Sequence, residues 1–186
     1  MGLLDALLGR SKRVEPDLDA LFALPTAALT LQTAAEMHPT DTGAVCFRGA
    51  EGGPFARMKD EITELLDGQA PEETQDDYGY TWIAISSPDM ATLCTNLHAV
   101  NSTLESRGWG PSLLCTTVGF RADDGGRLAL VYLYKQGTFY PFAPVDARRQ
   151  QRDNALELQA RAAVSGDLPI ESDVKRWFPV WGAPGV

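Results

Sequence analysis

The chain has 186 residues, of which 44% are apolar and 22% charged, and a formal net charge of −9. This composition is typical of one folded domain and excludes a disordered chain. Phosphate binding requires clustered Lys and Arg. Because the 16 basic residues are mostly scattered among 25 acidic ones, the sequence predicts no nucleic-acid partner.

The N-terminal segment predicts a short amphipathic helix over residues 2–9, with an apolar face of four leucines followed by three basic residues. These seven candidate contact residues are Leu3, Leu4, Leu7, Leu8, Arg10, Lys12 and Arg13. They suit weak peripheral contact with an anionic membrane. Docking on the protein's own body or on a partner is the interpretation that we favour. The apolar-then-basic order is the reverse of a signal peptide, and no apolar run approaches the roughly 20 residues that span a bilayer.

The next elements are short. Asp17 is predicted to cap a helix that Pro25 ends, and strands are expected at residues 28–32 and 43–48. A longer helix opens at residues 52–54, where proline suits the first turn. Its apolar stripe consists of Phe55, Met58, Ile62 and Leu65.

The second half alternates in the periods of strands and helices. Residues 69–77 predict an exposed acidic loop, and a strand follows at 80–86. Asp89 precedes a long helix, and a hairpin joins strands 112–121 and 127–135 through Asp-Asp-Gly-Gly. The remaining expected elements are a strand at 138–142, a helix from Asp153 through Leu156, Leu158 and Ala162, and an aromatic Pro/Gly-rich tail at 173–186.

This order of elements predicts an α+β fold in which helices pack on a largely antiparallel sheet. We expect one domain over residues 1–186. The three cysteines, Cys46, Cys94 and Cys115, each lie in an apolar run. Their odd number without a secretory signal favours buried thiols in a reducing cytoplasm.

Candidate residues for chemistry are few. His98 lies one helical turn from Cys94, so an enzyme using this pair is one alternative. A fold or partner contact is the interpretation that we favour for His98. Asn101 lies on the apolar stripe of the same helix and needs hydrogen-bond partners if buried. We assign no catalytic, cofactor-binding or metal-binding residue, and expect no cofactor, because the sequence contains no phosphate loop, dinucleotide fingerprint or metal-ligand spacing.

The tail contains Trp177, Phe178 and Trp181. Aromatic residues are enriched at binding hot spots, which makes these three candidates for partner contact. Packing of the tail on the protein's own sheet is the alternative that we favour.

Several strings are similar to those of a known family. Two of them are GTFYPF at residues 137–142 and RWFPVWGAPG at 176–185, and others lie at 1–10, 19–25, 80–82, 97–101, 130–135 and 152–154. They resemble the PspA-associated protein PspAB from end to end. A helix ending in Asn before a hairpin also resembles the YbjN and type III secretion chaperone-like folds, which implies no function alone.

The resemblance implies a bacterial accessory of PspA, the membrane-associated phage-shock protein of the envelope-stress response. We therefore expect a non-enzymatic protein that binds or modulates PspA, a linked membrane protease or another stress-response protein. It implies a cytoplasmic location, with peripheral contact at the inner face of the membrane allowed. A chaperone-like client-binding module or a homodimer is the main alternative, and the Cys94–His98 enzyme is the second.

Overall fold

The computed structural model describes residues 16–49, 53–66 and 70–186. The expected helix at 2–9 lies outside these residues, as do Leu3, Leu4, Leu7, Leu8, Arg10, Lys12 and Arg13. The α-helices are α1 (Leu24–Ala35), α2 (Gly53–Leu65), α3 (Met90–Leu104) and α4 (Asn154–Val164). The strands are β1 (His38–Arg48), β2 (Glu72–Gln75), β3 (Tyr80–Ser86), β4 (Leu113–Arg121), β5 (Arg127–Leu133), β6 (Thr138–Phe142), β7 (Pro144–Asp146) and β8 (Gln151–Arg152).

Six strands form one antiparallel sheet in the order β2-β3-β1-β4-β5-β6, and β7 pairs with β8 separately. The predicted α+β class with helices on an antiparallel sheet is confirmed. The Asp-Asp-Gly-Gly hairpin is confirmed too, because it joins β4 to β5.

Each face of the sheet has its own cover. Alternate residues of a strand point to opposite faces. On β4, Val118 and Phe120 pack in the large core beneath the helices, whereas Cys115 belongs to a second, smaller apolar cluster. The C-terminal tail covers this second cluster with Trp177 and Val180. The two faces are called the helix face and the tail face below.

Asn101 joins α3 to the helix face. Its side-chain amide donates to the Leu97 carbonyl at 2.8 Å and to the Thr116 hydroxyl at 2.9 Å. Thr116 lies on β4, so a single buried side chain fixes the helix against the sheet.

The predicted break at Pro25 is wrong. A 3-10 helix at Leu18–Ala23 leads directly into α1, and the expected strand at residues 28–32 is helical. Pro25 lies in the first turn of α1, where its missing N–H has no intrahelical partner to lose. Asp17 makes no side-chain cap; its backbone carbonyl instead accepts a hydrogen bond from the Tyr132 hydroxyl at 2.7 Å.

Three further details differ from expectation. Part of the predicted loop at 69–77 forms the edge strand β2. Its four residues are all exposed and so lack the alternation that marks a half-buried strand. Leu66, rather than Leu65, is the buried leucine at the end of α2. In α4 the buried positions are Glu157, Ala160 and Val164, whereas Leu158 is exposed.

The joined helices at Leu18–Ala35 form the one stretch of the described residues that is long and apolar enough to cross a membrane. Leu21, Leu24, Ala27 and Leu31 are buried in the helix-face core. A core helix of this kind passes the same test of length and composition, so the stretch is weak evidence for a membrane span.

Candidate functional site: a groove between the sheet and the tail

The tail is fixed by hydrogen bonds between side chains and backbone. The Tyr140 hydroxyl donates to the Phe178 carbonyl at 2.7 Å, and the Trp177 indole N–H donates to the Glu171 carbonyl at 3.1 Å. Further along, the Thr40 hydroxyl donates to the Gly185 carbonyl at 3.2 Å. The tail therefore crosses the sheet from β6 towards β1.

A partly buried ion pair supports the start of the tail. Arg152 Nε lies 2.8 Å from Glu157 Oε1, and the same oxygen accepts the backbone N–H of Ala143 at 2.9 Å. Arg152 Nη1 also donates to the Trp177 carbonyl at 2.9 Å, and the guanidinium lies over the Phe142 ring. One arginine thus connects α4, β6 and the tail.

Between the tail and β3, β1, β4 and β5 lies a cavity of about 470 Å³, called the tail groove below. Its floor is a row of residues from neighbouring strands: Trp82 pairs with Cys46, Cys46 pairs with Cys115, and Cys115 pairs with Leu133. Residues of the tail, among them Phe178 and Trp181, form the opposite wall. The groove is predominantly apolar.

A β-bulge aims Leu114 into the groove. Cys46 pairs with Cys115 and the next residue of β1, Phe47, pairs with Leu113, which leaves Leu114 as the extra residue of β4. Leu113 is buried on the helix face, whereas Leu114 and Cys115 both line the groove. Redirecting a side chain is a usual effect of a bulge.

Asp76 holds the other end of the floor. One oxygen accepts the backbone N–H groups of Tyr78 and Tyr80, each at 2.9 Å, and the other accepts the Trp82 indole N–H at 3.0 Å. This carboxylate therefore fixes the β2–β3 turn and the orientation of the Trp82 ring.

Two exposed aromatic residues flank the groove. The side chain of Tyr78, at the β2–β3 turn, is 69% exposed, and that of Phe178, on the tail, is 60% exposed. Lys135 and Arg176 also line the cavity, and both are exposed. The rim thus combines large apolar rings with two cations in a chain whose net charge is −9.

Cys46 and Cys115 occupy the centre of the floor and are both buried, as the sequence predicted for all three cysteines. A hydrogen bond with Cys115 and burial both raise the pKa of the Cys46 thiol, and the charge of Asp76 raises it further. Burial likewise raises the pKa of Tyr140 beside the pair. The raised pKa values keep the Cys46 thiol and the Tyr140 hydroxyl neutral at physiological pH.

The predicted contact residues divide between the two faces. Trp177 is buried between the tail and the sheet, Trp181 is partly buried against Phe142, and Phe178 faces solvent. His98 and Asn101 lie on α3, on the helix face. Phe178 and Trp181 line the tail groove, whereas Trp177 belongs to the tail-face cluster without lining the groove. All three lie on the opposite face of the sheet from His98 and Asn101.

His98 makes fold contacts. Its Nε2 lies 3.2 Å from Asp19, its Nδ1 lies 3.4 Å from the Ser102 hydroxyl, and its ring packs on Phe22. Burial raises the pKa of the Cys94 thiol to about 12, which opposes thiolate formation. This geometry gives no support to a Cys94–His98 nucleophile. Over the described ranges, no group of three or more His, Cys, Asp or Glu residues is arranged to hold a metal.

Sequence reasoning missed Tyr78, Leu114 and Lys135 as groove residues. In the sequence, Tyr78 only follows a predicted acidic loop, and Leu114 looks like any other strand residue. The bulge that directs Leu114 into the groove is visible only in the structure. Only the sheet order, which brings the β2–β3 turn near the tail, identifies them. The one signal in the sequence was an aromatic residue, Tyr78, directly after a polar, acidic segment.

The fold and the groove define a class: an α+β protein that covers one sheet face with helices and the other with its own tail, and that presents an apolar groove between sheet and tail. The sequence model of the family described as PspA associated protein B matches residues 1–185, and the chain belongs to this family. The resemblance noted in the sequence strings is thereby confirmed. No curated protein and no solved structure matched the chain, so the likeness to YbjN and chaperone folds stays a prediction.

Proposed function

We propose that this protein binds a PspA-type protein in the envelope-stress response and that the tail groove is the contact surface. Membership of a family described as PspA-associated supports the choice of partner. The observation that supports the choice of surface is the presence of two exposed aromatic rings, Tyr78 and Phe178, on the rim of one apolar cavity.

Burial of these rings would supply much of the affinity. Aromatic side chains bury on the order of 150–250 Å² each and dominate interface energetics. Hot spots also concentrate where aromatic residues surround a pocket that a partner side chain fills. The tail groove offers such a pocket, with Leu114 and Leu133 partly buried inside it.

The rim charges indicate the chemistry of the partner segment. Lys135 is exposed at the groove, and Arg176 beside it is paired with Glu171 and Asp173, while the chain as a whole is strongly acidic. A segment with apolar side chains flanked by carboxylates would therefore be attracted to the groove and repelled by most other surfaces. We expect the contacting segment of the PspA-type partner to have this composition.

The proposal places the protein in the cytoplasm and brings it to the inner face of the membrane through its partner. The amphipathic segment at residues 1–13, with its leucines and three cations, would be a second, weaker contact. Regulation of a linked membrane protease is a variant of the same proposal with a different partner.

The groove also favours one other function. An apolar cavity that captures an extended client segment would suit a chaperone-like module. It would also suit a homodimer in which the groove of each chain binds the other chain. This alternative needs no PspA-type partner, so binding to that partner distinguishes the two.

The direct test is binding of the purified chain to a purified PspA-type protein by calorimetry. Tyr78→Ala and Phe178→Ala should each weaken binding about 10-fold or more, the usual effect of truncating a hot-spot residue. Leu29→Ala is the matched control, because Leu29 is 65% exposed on α1 and far from the groove in the fold. Equal affinity for all four proteins would remove the groove from the proposal.

Charge reversal sharpens the test. Lys135→Glu should slow association and weaken binding most at low ionic strength, because exposed charges act mainly by steering. If Lys135→Glu instead strengthens binding, the partner segment is basic and the inferred composition is wrong. If the wild-type chain shows no affinity for PspA-type protein but binds extended apolar peptides, the chaperone-like function takes precedence.

Liposome co-sedimentation separates the membrane contact from the protein contact. The full chain and a chain without residues 1–13 should both reach the membrane when the PspA-type protein is present. Without it, only the full chain should show residual binding to anionic vesicles. If the truncated chain no longer reaches the membrane when the partner is present, the main contact is made by the N-terminal segment rather than by the groove.

A further inference from the structure

The two cysteines at the centre of the groove floor face each other directly. Cys46 on β1 and Cys115 on β4 are register partners in an antiparallel pair. Directly opposed residues in such a pair have Cα atoms about 4.5–5.5 Å apart. A disulfide requires about 4.4–6.8 Å between Cα atoms, so this register lies within the range for a bond.

Both side chains also point to the same place. They belong to the tail-face cluster and line the same cavity, where Cys46 is 3% exposed and Cys115 is 7% exposed. The neighbouring Cys115 side chain is the largest cause of the raised pKa of Cys46, which agrees with two thiols that lie side by side. The cavity of about 470 Å³ gives a small molecule room to reach them, since a water molecule takes about 30 Å³ of liquid.

We propose that Cys46 and Cys115 form an oxidation site that hydrogen peroxide converts to an intramolecular disulfide across the floor of the tail groove. The site is independent of the proposed partner, because it depends only on the register of β1 and β4 and on access through the cavity.

The chemistry balances with one peroxide. The thiolate of Cys115, the more exposed of the pair, attacks a peroxide oxygen, which breaks the O–O bond and leaves a sulfenic acid and a hydroxide ion. The hydroxide takes up the proton that the Cys115 thiol had released and becomes one water. The sulfur of Cys46 then attacks the sulfenic sulfur, forms the S–S bond and displaces the oxygen as a second water. Two thiols lose two electrons and two protons in total, and hydrogen peroxide accepts both.

The surroundings set the pH dependence. The titratable groups that share the cavity are Asp76, Tyr78, Tyr80, Lys135, Tyr140 and Arg176. The hydrogen bond with Cys115, burial and the Asp76 charge raise the pKa of Cys46, so bond closure is slow at neutral pH. The rate of bond closure should rise by about 10-fold per pH unit while the Cys46 thiol, which attacks the sulfenic sulfur, remains mostly protonated. The same lack of thiolate stabilisation makes the disulfide, once formed, a weak oxidant.

Cys94 provides a matched control within the chain. It is fully buried on the helix face, and burial raises its pKa to about 12, but it faces neither of the other two cysteines. A process that oxidised any buried cysteine would affect Cys94 as well, whereas the proposed site would leave it reduced.

The experiment treats the full folded chain with hydrogen peroxide at about pH 7 and about pH 9, followed by alkylation and peptide mass mapping. The wild type and Cys94→Ser should lose two hydrogen atoms per chain and give a peptide pair linked through Cys46 and Cys115, faster at the higher pH. Cys46→Ser and Cys115→Ser should form no intramolecular bond. Circular dichroism of each variant verifies that it is folded.

Three outcomes would overturn the proposal. One is a folded wild-type chain whose Cys46 and Cys115 both stay alkylatable at either pH. Another is a bond that involves Cys94 or joins two chains. The last is oxidation of Cys115 to sulfinic acid while Cys46 remains a free thiol, because this would show that the register does not bring the sulfurs together.

Discussion

The helix face and the tail face of the sheet are covered by different means. The helix face is packed by buried apolar side chains from four α-helices and five strands, in one continuous core. The tail face is covered by a single irregular segment with few apolar anchors, Trp177, Val180 and Ala183, held by hydrogen bonds to backbone carbonyls. A helical layer can be lost only with the fold, whereas an irregular tail held at a few points can leave by itself.

Phe120→Ala should have the largest effect. Phe120 on β4 is fully buried in the helix-face core, and truncation of such a ring costs about 3–5 kcal/mol. This is a large part of the 5–15 kcal/mol by which domains are usually stable, so the whole chain should unfold at markedly lower urea concentration. Equilibrium urea unfolding of the wild type and Phe120→Ala measures this loss of unfolding free energy. A loss of less than about 1 kcal/mol would mean that this core tolerates a cavity and that the contrast between the faces is wrong.

Gly119→Ala tests the neighbouring residue, which points to the tail face. A Cβ at this position would lie 2.0 Å from the Gly185 carbonyl oxygen and 2.6 Å from the Thr40 hydroxyl. The tail end must move away, at a cost of about 1–3 kcal/mol that is local to the tail. Hydrogen exchange should increase at residues 180–186 while β1 and β4 keep their protection.

Gly166→Ala is the control for Gly119→Ala, because a Cβ at Gly166 meets no atom within 4 Å. It should leave hydrogen exchange in the tail unchanged. Global unfolding of Gly119→Ala, with loss of protection in the helices, would show that the tail is an integral part of the core.

Asp89→Ala should have the smallest effect and should depend on pH. Asp89 caps α3 by accepting hydrogen bonds from the Thr92 hydroxyl at 2.6 Å and the Thr92 backbone N–H at 2.7 Å, which lower the pKa of its carboxyl. A lowered folded-state pKa stabilises the protein above the unfolded value, about 3.9, and this contribution is lost as pH falls through the folded value.

Thermal unfolding at about pH 7 and about pH 3 measures this effect. The difference in Tm between wild type and Asp89→Ala should shrink at acid pH. Asp89→Ser keeps a neutral capping oxygen, so its Tm difference from Asp89→Ala should stay nearly constant. A wild-type advantage that persists unchanged at acid pH would show that the carboxylate charge has no part in the cap.

Residues with strong local signals were predictable. The strand at residues 80–86, the glycine turn before Arg127 and the start of a helix after Asp89 each depend on neighbours in sequence, and all three appear in the structure. The alternation of the strand did not predict its burial, since Thr81 to Ile85 are buried whichever face they point to. The prediction that Pro25 ends a helix was wrong because proline, which ends helices, is also tolerated in their first turn. Local pattern could not choose between these two roles.

The groove was beyond sequence reasoning for another reason. Its floor depends on the strand order, which places β1 between β3 and β4, and on the bulge that redirects Leu114. Trp177, Phe178 and Trp181 were recognised as candidates, but which of them packs and which faces solvent depends on where Tyr140 holds the tail backbone. The pairing of Cys46 with Cys115 likewise requires the register, since 68 residues separate them in sequence.

The hydrogen bond from Thr40 to Gly185 spans 145 positions of the chain. During synthesis, β1, β3, β4, β5 and β6 all leave the ribosome before the tail that covers them. The apolar tail face, which includes Trp82 and Val131, therefore remains exposed to solvent until residues 177–185 have been synthesised. Nascent chains with such a surface are prone to aggregate. A stop codon near residue 176 would thus be expected to yield insoluble protein rather than a slightly less stable fold.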